Sequence, residues 1–421
     1  MTIRVAFLSA ECEPWAKTGG LADVVDALAR ALGVLPDGVD GPVDVFLPRY
    51  RGVPVSAAAV GAGRVLRVPD PMAPAGMTEV TVIDVAADGY RLRLIDHPGA
   101  FDRDGFYGDD EGDFIDNAWR FGLFSRAALE ALRADGRPID VLHLHDWHTG
   151  PAPIFRDVRY ADDPTLGRTA ILLTLHNLAY HGWTPRERLR ELGLTPGDGI
   201  VPTGADGLDL LRSAIERSEF VNTVSPTFAS EALTPEFGMG LDSTLRGLGD
   251  RFVGILNGLD TTVWDPSTDT EIAATYSRAD RTGKLAARAD LLERVGFDAE
   301  SDAAILGMIG RLDPQKGFDL LAAAAPALLD LGARIVVQGS GHPELAAPLR
   351  RLVAANPERI ALIERFDPVM ARRIYAGVDF FLMPSRFEPC GQGQMIALRY
   401  GSPPIVRRTG GLADSVVDEI S

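Results

Sequence analysis

One unit recurs along this chain: a short apolar run, a polar loop, then a stretch with apolar residues at helical spacing. At 380–383 such a run enters PSRFEPCGQGQ (384–394), and 395–400 follows as a helix. At 3–9 a β-branched run leads through KTGGLAD (17–23) into LADVVDALARAL (21–32). Further strands are predicted at 43–47, 141–144, 170–175 and 220–224, and again at 305–309, 334–337, 360–363 and 404–406. Helices are predicted between them at 116–133, 208–217, from Pro226, and at 318–331, 344–355 and 369–375. This alternation specifies a parallel sheet covered by helices on both faces. Such a sheet binds its ligand in the loops that leave the C-terminal ends of the strands.

A chain of 421 residues is too long for one ordinary core. The pattern breaks at RFVGILNGLDTTVWDPSTDT, which divides the chain into 1–250 and 251–421. The expected fold is therefore α/β, with two Rossmann-like, doubly wound domains facing a central cleft. TGGLAD occurs twice, at 18–23 and 409–414, each time between a strand and a helix. Glycine pairs permit that turn, and an early Asp suits the positive end of the helix dipole. Between 51 and 112 runs such as TVIDVAA and YRLRLID suit inserted strands and long loops whose order the sequence does not specify.

A net charge of −17 argues against nucleic acid or an anionic membrane surface as the main partner. It leaves room for a small anion in a local basic pocket. The two cysteines, Cys12 and Cys390, form neither a disulfide framework nor a CxxC pair. The N-terminal apolar run is stopped by Glu11 and Glu13, too early for a signal peptide, and no run approaches the ~20 residues of a membrane helix. The expectation is a cytoplasmic protein in a reducing compartment.

KTGGLAD offers Lys17 and the amides of Gly19 and Gly20 at a helix start, with Asp23 just inside it. It is neither Walker A nor GxGxxG, and an ordinary strand–helix turn with a solvated lysine explains it equally well. GRLDPQKGFDL (310–320) brings Arg311 and Lys316 close enough to converge on one diphosphate; the plainer reading is a turn started by Asp313-Pro314. HLHDWH (143–148) and His176-Asn177 place imidazoles at strand ends without a metal-site spacing. They suit hydrogen bonding to a hydroxyl-rich ligand, while His143, inside an apolar run, reads as a core histidine. Asp116 reads as a helix N-cap and Asn257 as a turn residue before glycine. Glu388 and Cys390 share one loop with Gly391 and Gly393; no base accompanies the thiol, so packing is the better reading of Cys390.

Taken together, KTGGLAD, HDWH, TLHNLAYHG, NTVSPT, GILNGLD, GRLDPQKGFDL and PSRFEPCGQGQ…GSPPIVRRTGGLADSV resemble the bacterial glycogen synthases and plant starch synthases. The motifs keep that family's order and span essentially the whole chain. The resemblance implies a GT-B glycosyltransferase that moves glucose from ADP-glucose to the non-reducing 4-OH end of an α-1,4-glucan, with retention. It implies no metal and no cofactor.

By the same resemblance Arg311 and Lys316 bind the diphosphate, with Lys17 and the Gly19–Gly20 amides beside it. His148, Asn257, Asp116 and Glu388 hold the glucosyl hydroxyls. Asp23 lies near the donor, the Gly391 region gives backbone donors to the distal phosphate, and Phe366 stacks on adenine. Two departures stand out: the family loop often reads CGLTQ where this chain has CGQGQ, and members usually run some tens of residues past TGGLADSV, so the second domain is expected to be incomplete. A transferase using UDP-glucose or a small acceptor, or a non-catalytic glucan- or nucleotide-binding homologue, are the alternatives.

Overall fold

A computed structural model describes residues 2–35, 37–109, 112–195, 198, 206–298 and 302–418. Its contacts divide the chain into two units, Met1–Val224 with Ala229–Ile255, and Ser225–Phe228 with Leu256–Ser421.

The first unit is built on a nine-stranded sheet. Its central strand, Val5–Leu8, is flanked in parallel by Val43–Pro48 on one side and Val141–His145 on the other. The chain first builds outward through Val43–Pro48 to Tyr90–Asp96, then returns and builds the other way through Val141–His145, Ala170–Leu175, Phe220–Thr223 and Phe252–Gly254. The reversal lies beside Val5–Leu8. Val5–Leu8 and Val43–Pro48 are buried at every position, as strands covered on both faces must be. The segment whose order the sequence left open forms an antiparallel edge, Arg64–Pro69, Met77–Ala86 and Tyr90–Asp96.

Phe252–Gly254 pairs in parallel with Phe220–Thr223, so the first unit extends to Ile255 rather than 250. The Gly- and Pro-rich composition that suggested a break begins one short strand too early. Likewise the helix expected from 208 starts at Leu210: Gly207–Asp209 is a strand against Trp183–Pro185, and the Asp209 carboxylate caps the helix by accepting from Arg212 N.

The second unit holds a five-stranded, wholly parallel sheet ordered Ile360–Ile363, Arg334–Gln338, Ile305–Ile309, Phe380–Met383, Pro404–Val406. One face buries Leu291, Leu292 and Phe297 with Ile374 and Val378 against Ile305 and Val336. On the other, Phe318, Leu321 and Leu349 pack against Met308 and Ile335. Helices Thr282–Val295 and Pro368–Gly377 supply most of the first layer, and Phe318–Asp330 and Pro343–Ala355 the second. Each unit is thus a doubly wound α/β sheet. Here the reversal falls between Ile305–Ile309 and Phe380–Met383, and an open α/β sheet binds its ligand at such a switch point. Among the described residues no helix is long and apolar enough to cross a membrane.

Candidate functional site

In the second unit the two loops at the reversal are 310–317 and 384–392, the segments that carry Arg311, Lys316, Glu388 and Cys390. They are latched to each other. Arg386 donates from its backbone to Gln315 O, and its guanidinium donates to Pro314 O and to both carboxylate oxygens of Asp319. Gln315 Nε2 returns a bond to Phe387 O. Gly317 makes the approach possible: its φ is +77°, and a Cβ there would stand 2.5 Å from Pro384 O. Asp313 starts the turn as its Asp-Pro sequence suggested, accepting from Gln315 N.

Lys316 and Glu388 are brought together. The ammonium lies 2.7 and 3.0 Å from the two carboxylate oxygens, and Ser385 Oγ adds a bond of 3.0 Å to the same carboxylate. Glu388 is 5% exposed. The pair is a hydrogen-bonded, nearly buried unit in which the lysine offsets the carboxylate and each keeps bonding capacity for a ligand. Arg311 is exposed and makes no hydrogen bond or ion pair among the described residues. Phe366 is 78% exposed, in the loop leaving the outermost strand, Ile360–Ile363.

Cys390 is buried, and burial pushes its thiol up to about 11 in spite of hydrogen bonding with Asn257. It stays a thiol at neutral pH, which removes it as a nucleophile. Asn257, read from sequence as a turn residue, is tied to this loop by that bond. Gly391 has a φ of +72°, which disfavours any other residue, and a Cβ there would press on the side chains of Gln394 at 2.6 Å and Glu388 at 3.1 Å. Gly393 is different: a Cβ there would face Phe381, Tyr375 and Met383 at 3.2–3.3 Å. The core beneath the helix, rather than ligand access, accounts for glycine at 393.

The second TGGLAD supports this loop. Gly411 N donates to Glu388 O and Pro389 O, and Cβ atoms at Gly410 and Gly411 would meet Glu388 O at 2.0 Å and Cys390 O at 2.3 Å. Its Asp414 accepts from the backbone and hydroxyl of Thr227 at 2.7 and 2.6 Å.

In the first unit the loops at the reversal follow Leu8 and His145. The first carries KTGGLAD, and two of its amides, those of Thr18 and Gly19, are already engaged. Thr18 N and Gly19 N donate to the carboxylate of Glu11 at 2.5 and 3.2 Å, joined by Thr18 Oγ1 and Tyr107 Oη, both at 2.6 Å. The expected phosphate cradle is therefore filled, at Gly19, by the protein's own anion; nothing surrounds a Cβ built at Gly19 or Gly20. Lys17 is exposed, as the plainer reading expected, and pairs with Asp23 at 2.7 Å and Glu13 at 3.3 Å.

The second loop turns at Asp146, a non-glycine residue at φ 56°, ψ −175°. That backbone region is close to glycine-only and costs about 1–3 kcal/mol. The Asp146 carboxyl compensates by accepting from His176 N at 2.7 Å and Asn177 N at 3.4 Å, and burial pushes it up to about 7. His148 follows, buried and stacked on Trp147 and Tyr107 with ring centroids 4.2 and 4.4 Å away. Burial pulls its imidazole down to about 3, so the ring is neutral, and its Nδ1 is buried without a hydrogen-bond partner. A neutral imidazole suits bonding to a hydroxyl rather than to a phosphate. His143 is the core histidine its position suggested, bonded to Thr174 Oγ1 at 2.6 Å.

Asp116 occupies the N-cap of Asn117–Asp135 but makes no side-chain cap bond. Its carboxylate is held instead by both guanidinium nitrogens of Arg103 at 2.8 and 2.7 Å. Sequence reasoning missed Glu11, Arg103, Tyr107 and Asp146. Only Asp146 carried a usable signal, an acid inside HDWH at a strand end. Among the described residues no cluster of three or more His, Cys, Asp or Glu is placed to hold a metal ion.

Comparison with known proteins fits this architecture. The starch synthase catalytic domain family matches residues 4–247, and the glycosyl transferases group 1 family matches residues 303–421. The glycogen synthase of Syntrophotalea carbinolica is 40% identical over 99% of this chain and 85% of its own length. That of Koribacter versatilis is 40% identical over 98% and 84%. The catalytic domain of starch synthase IV from Arabidopsis thaliana, solved bound to ADP and acarbose, superposes with a TM-score of 0.89 at 34% identity, over 100% of this chain and 86% of that one. A sucrose-phosphate synthase from Thermosynechococcus elongatus, at 19% identity and a TM-score of 0.58, shares the fold alone. Two doubly wound units, latched loops at the sheet reversal and full-length similarity lead to one conclusion: the chain belongs to the glycogen synthase family of glycosyltransferases, with the GT-B fold.

Proposed function

We propose that this transferase takes glucose from ADP-glucose and adds it, with retention, to the non-reducing 4-OH end of an α-1,4-glucan such as glycogen. The observation that carries the reading is the Lys316–Glu388 pair, which sets a cation and a carboxylate side by side at the sheet reversal of the second unit. ADP in the related Arabidopsis enzyme supports the choice of donor.

Retaining transfer passes through an oxocarbenium-like transition state while negative charge grows on the departing diphosphate. Preorganised cations stabilise that charge as it develops. Arg311, with no partner among the described residues, and Lys316 fill this role; Glu388 orients the sugar and keeps the Lys316 ammonium in place. His148, Asn257 and Asp116 bind glucosyl hydroxyls, and Phe366 stacks on the base. Lys17, Gly20 and Asp23 act near the donor, with Gly19 shaping their loop. The Gly391 amide serves the distal phosphate. The leaving phosphate accepts the acceptor's hydroxyl proton, so neither a covalent enzyme intermediate nor a metal or organic cofactor is required. The reaction takes place in the cytoplasm.

Incubation with radiolabelled ADP-glucose or UDP-glucose and glycogen decides the matter. Label entering glycogen from ADP-glucose is the expected result. Label from UDP-glucose alone would move the assignment to another transferase of the same fold, and ADP binding without turnover from either donor would make the chain a binding protein.

A further inference from the structure

Glu11 is 4% exposed, and among the described residues its carboxylate has no cationic partner. It is held by four hydrogen bonds: Thr18 N, Thr18 Oγ1, Gly19 N and Tyr107 Oη. A buried carboxylate without a counter-ion is costly, and a packed apolar residue in its place commonly yields an equal or more stable fold. Among the described residues the Glu11 carboxylate is offset by two hydroxyls and by the two backbone amides ahead of the positive end of helix Gly20–Gly33. Stability alone is a poor reason for such a group.

Its partners suggest another reason. One carboxylate oxygen binds the two backbone amides that open the KTGGLAD helix; the other binds the hydroxyls of Thr18 and Tyr107. Tyr107 then stacks on His148, and its carbonyl is fixed by Asn117 Nδ2 at 2.8 Å. Glu11 thus touches both loops of the first unit's sheet reversal: the glycine loop directly, and the His148 loop through the Tyr107 ring.

We infer that Glu11 is a positioning residue that couples the shape of the glycine loop to the orientation of His148 through Tyr107. The inference rests on the proposed role of His148 in binding the glucosyl group. Glu11 does not meet substrate. It takes the place a ligand anion would fill in the amides of Thr18 and Gly19, and so fixes the loop before any donor arrives.

The test is a double-mutant cycle on the full chain with ADP-glucose and glycogen. Glu11→Ala is expected to lower kcat about 30-fold, since sub-ångström misplacement of a substrate-binding group has effects up to about 100-fold, with KM for ADP-glucose changing less than about threefold. Tyr107→Phe, which keeps the Glu11 bonds to the loop, is expected to lower kcat about tenfold with an unchanged melting temperature. The double variant should be about as slow as Glu11→Ala alone, because both act on one path. Losses that multiply, or a Tyr107→Phe enzyme with full kcat, would overturn the coupling. If Glu11→Ala does not fold, Glu11→Gln, isosteric and uncharged, replaces it in the cycle. A second readout does not depend on turnover: the imidazole nitrogen resonances of His148 should shift in Tyr107→Phe. Unshifted resonances count against the coupling; an unsubstituted chain that transfers no glucose counts only against the proposed activity.

Discussion

Lys316 Nζ stands 2.7 Å from Glu388 Oε2 and thereby ties together two loops that leave neighbouring strands of the second sheet. Removing either side chain leaves its partner uncompensated, and the glutamate is the more buried of the two, with side-chain exposures of 7% for Glu388 and 23% for Lys316. Breaking a fully buried pair costs about 3–5 kcal/mol, and access of water to Lys316 brings the expectation for Lys316→Ala down to about 2 kcal/mol. Lys316→Ala and Glu388→Ala should each lower turnover at least ~100-fold. Lys316→Met combined with Glu388→Gln should recover stability in urea titration without recovering turnover. Near-normal rates in both alanine variants would remove the pair from the reaction.

Gly317→Ala should be among the most damaging small substitutions in this unit. It combines a left-handed φ of +77° with a Cβ placed 2.5 Å from Pro384 O. The expected loss is about 2–3 kcal/mol, from φ strain and displacement of the opposing loop. Calorimetry measures the first, and the KM for ADP-glucose, which should rise as the latched loops part, measures the second. Gly332→Ala is a fitting control, since its φ is +87° but nothing surrounds the added carbon.

Acid sensitivity follows from the buried imidazoles. Burial holds His143, His148 and His176 near 3 and His145 well below its ordinary value. The unfolded chain therefore binds more protons than the folded one between about pH 3 and 6.5, and stability falls as pH drops through that window. Asp146 acts in the opposite sense. Burial raises it to about 7, so the folded state binds the extra proton and this contribution fades as pH rises from about 4 to 7. Asp146→Asn should steepen the dependence of the urea midpoint on pH between about 4.5 and 6.5. An unchanged slope would mean that the carboxyl titrates in the ordinary range.

Cys390 should be slow toward iodoacetamide at pH 8 in the folded protein and fast after unfolding, because burial holds the thiol at about 11. Cys12, pushed up to about 12, should behave alike. Cys390→Ala should keep turnover within about tenfold of the unsubstituted enzyme, a modest packing effect rather than loss of a nucleophile. Rapid burst labelling of one thiol would contradict the burial.

The sequence was most readable where one physical effect dominated. Strands covered on both faces need unbroken apolar residues, which is why 305–309 and 170–175 could be placed to the residue. Asp313-Pro314 is a local turn signal, and it produced that turn. The antiparallel edge at Arg64–Asp96 was legible as strands, TVIDVAA and YRLRLID among them, but not in its order, because its pairing depends on partners the local pattern does not show: Arg93 is buried against Asp84 on the neighbouring strand and against Asp135 at the end of a later helix. Asp116 shows the limit of local rules. Its position is a helix cap, but Arg103 claims its side chain. Glu11 was illegible for the same reason, since nothing in AECEPWAKTGG announces that the acid will fold back onto the glycines or that a tyrosine about a hundred positions away will join it. The backbone of Asp146, strained at a strand end, is a tertiary property with no sequence signature.

The two copies of TGGLAD carry a lesson about how substitutions and motif searches will behave. Six identical letters are embedded in opposite surroundings: the first copy closes around a side-chain carboxylate and has open space above both glycines, whereas the second is pressed onto the peptide backbone of 388–390. Alanine at Gly19 or Gly20 meets no neighbour; at Gly410 or Gly411 it collides with main-chain atoms that have nowhere to go. In a saturation library the first pair should accept small residues and the second pair almost none, so a profile that weights both copies equally would misjudge variants in one of them.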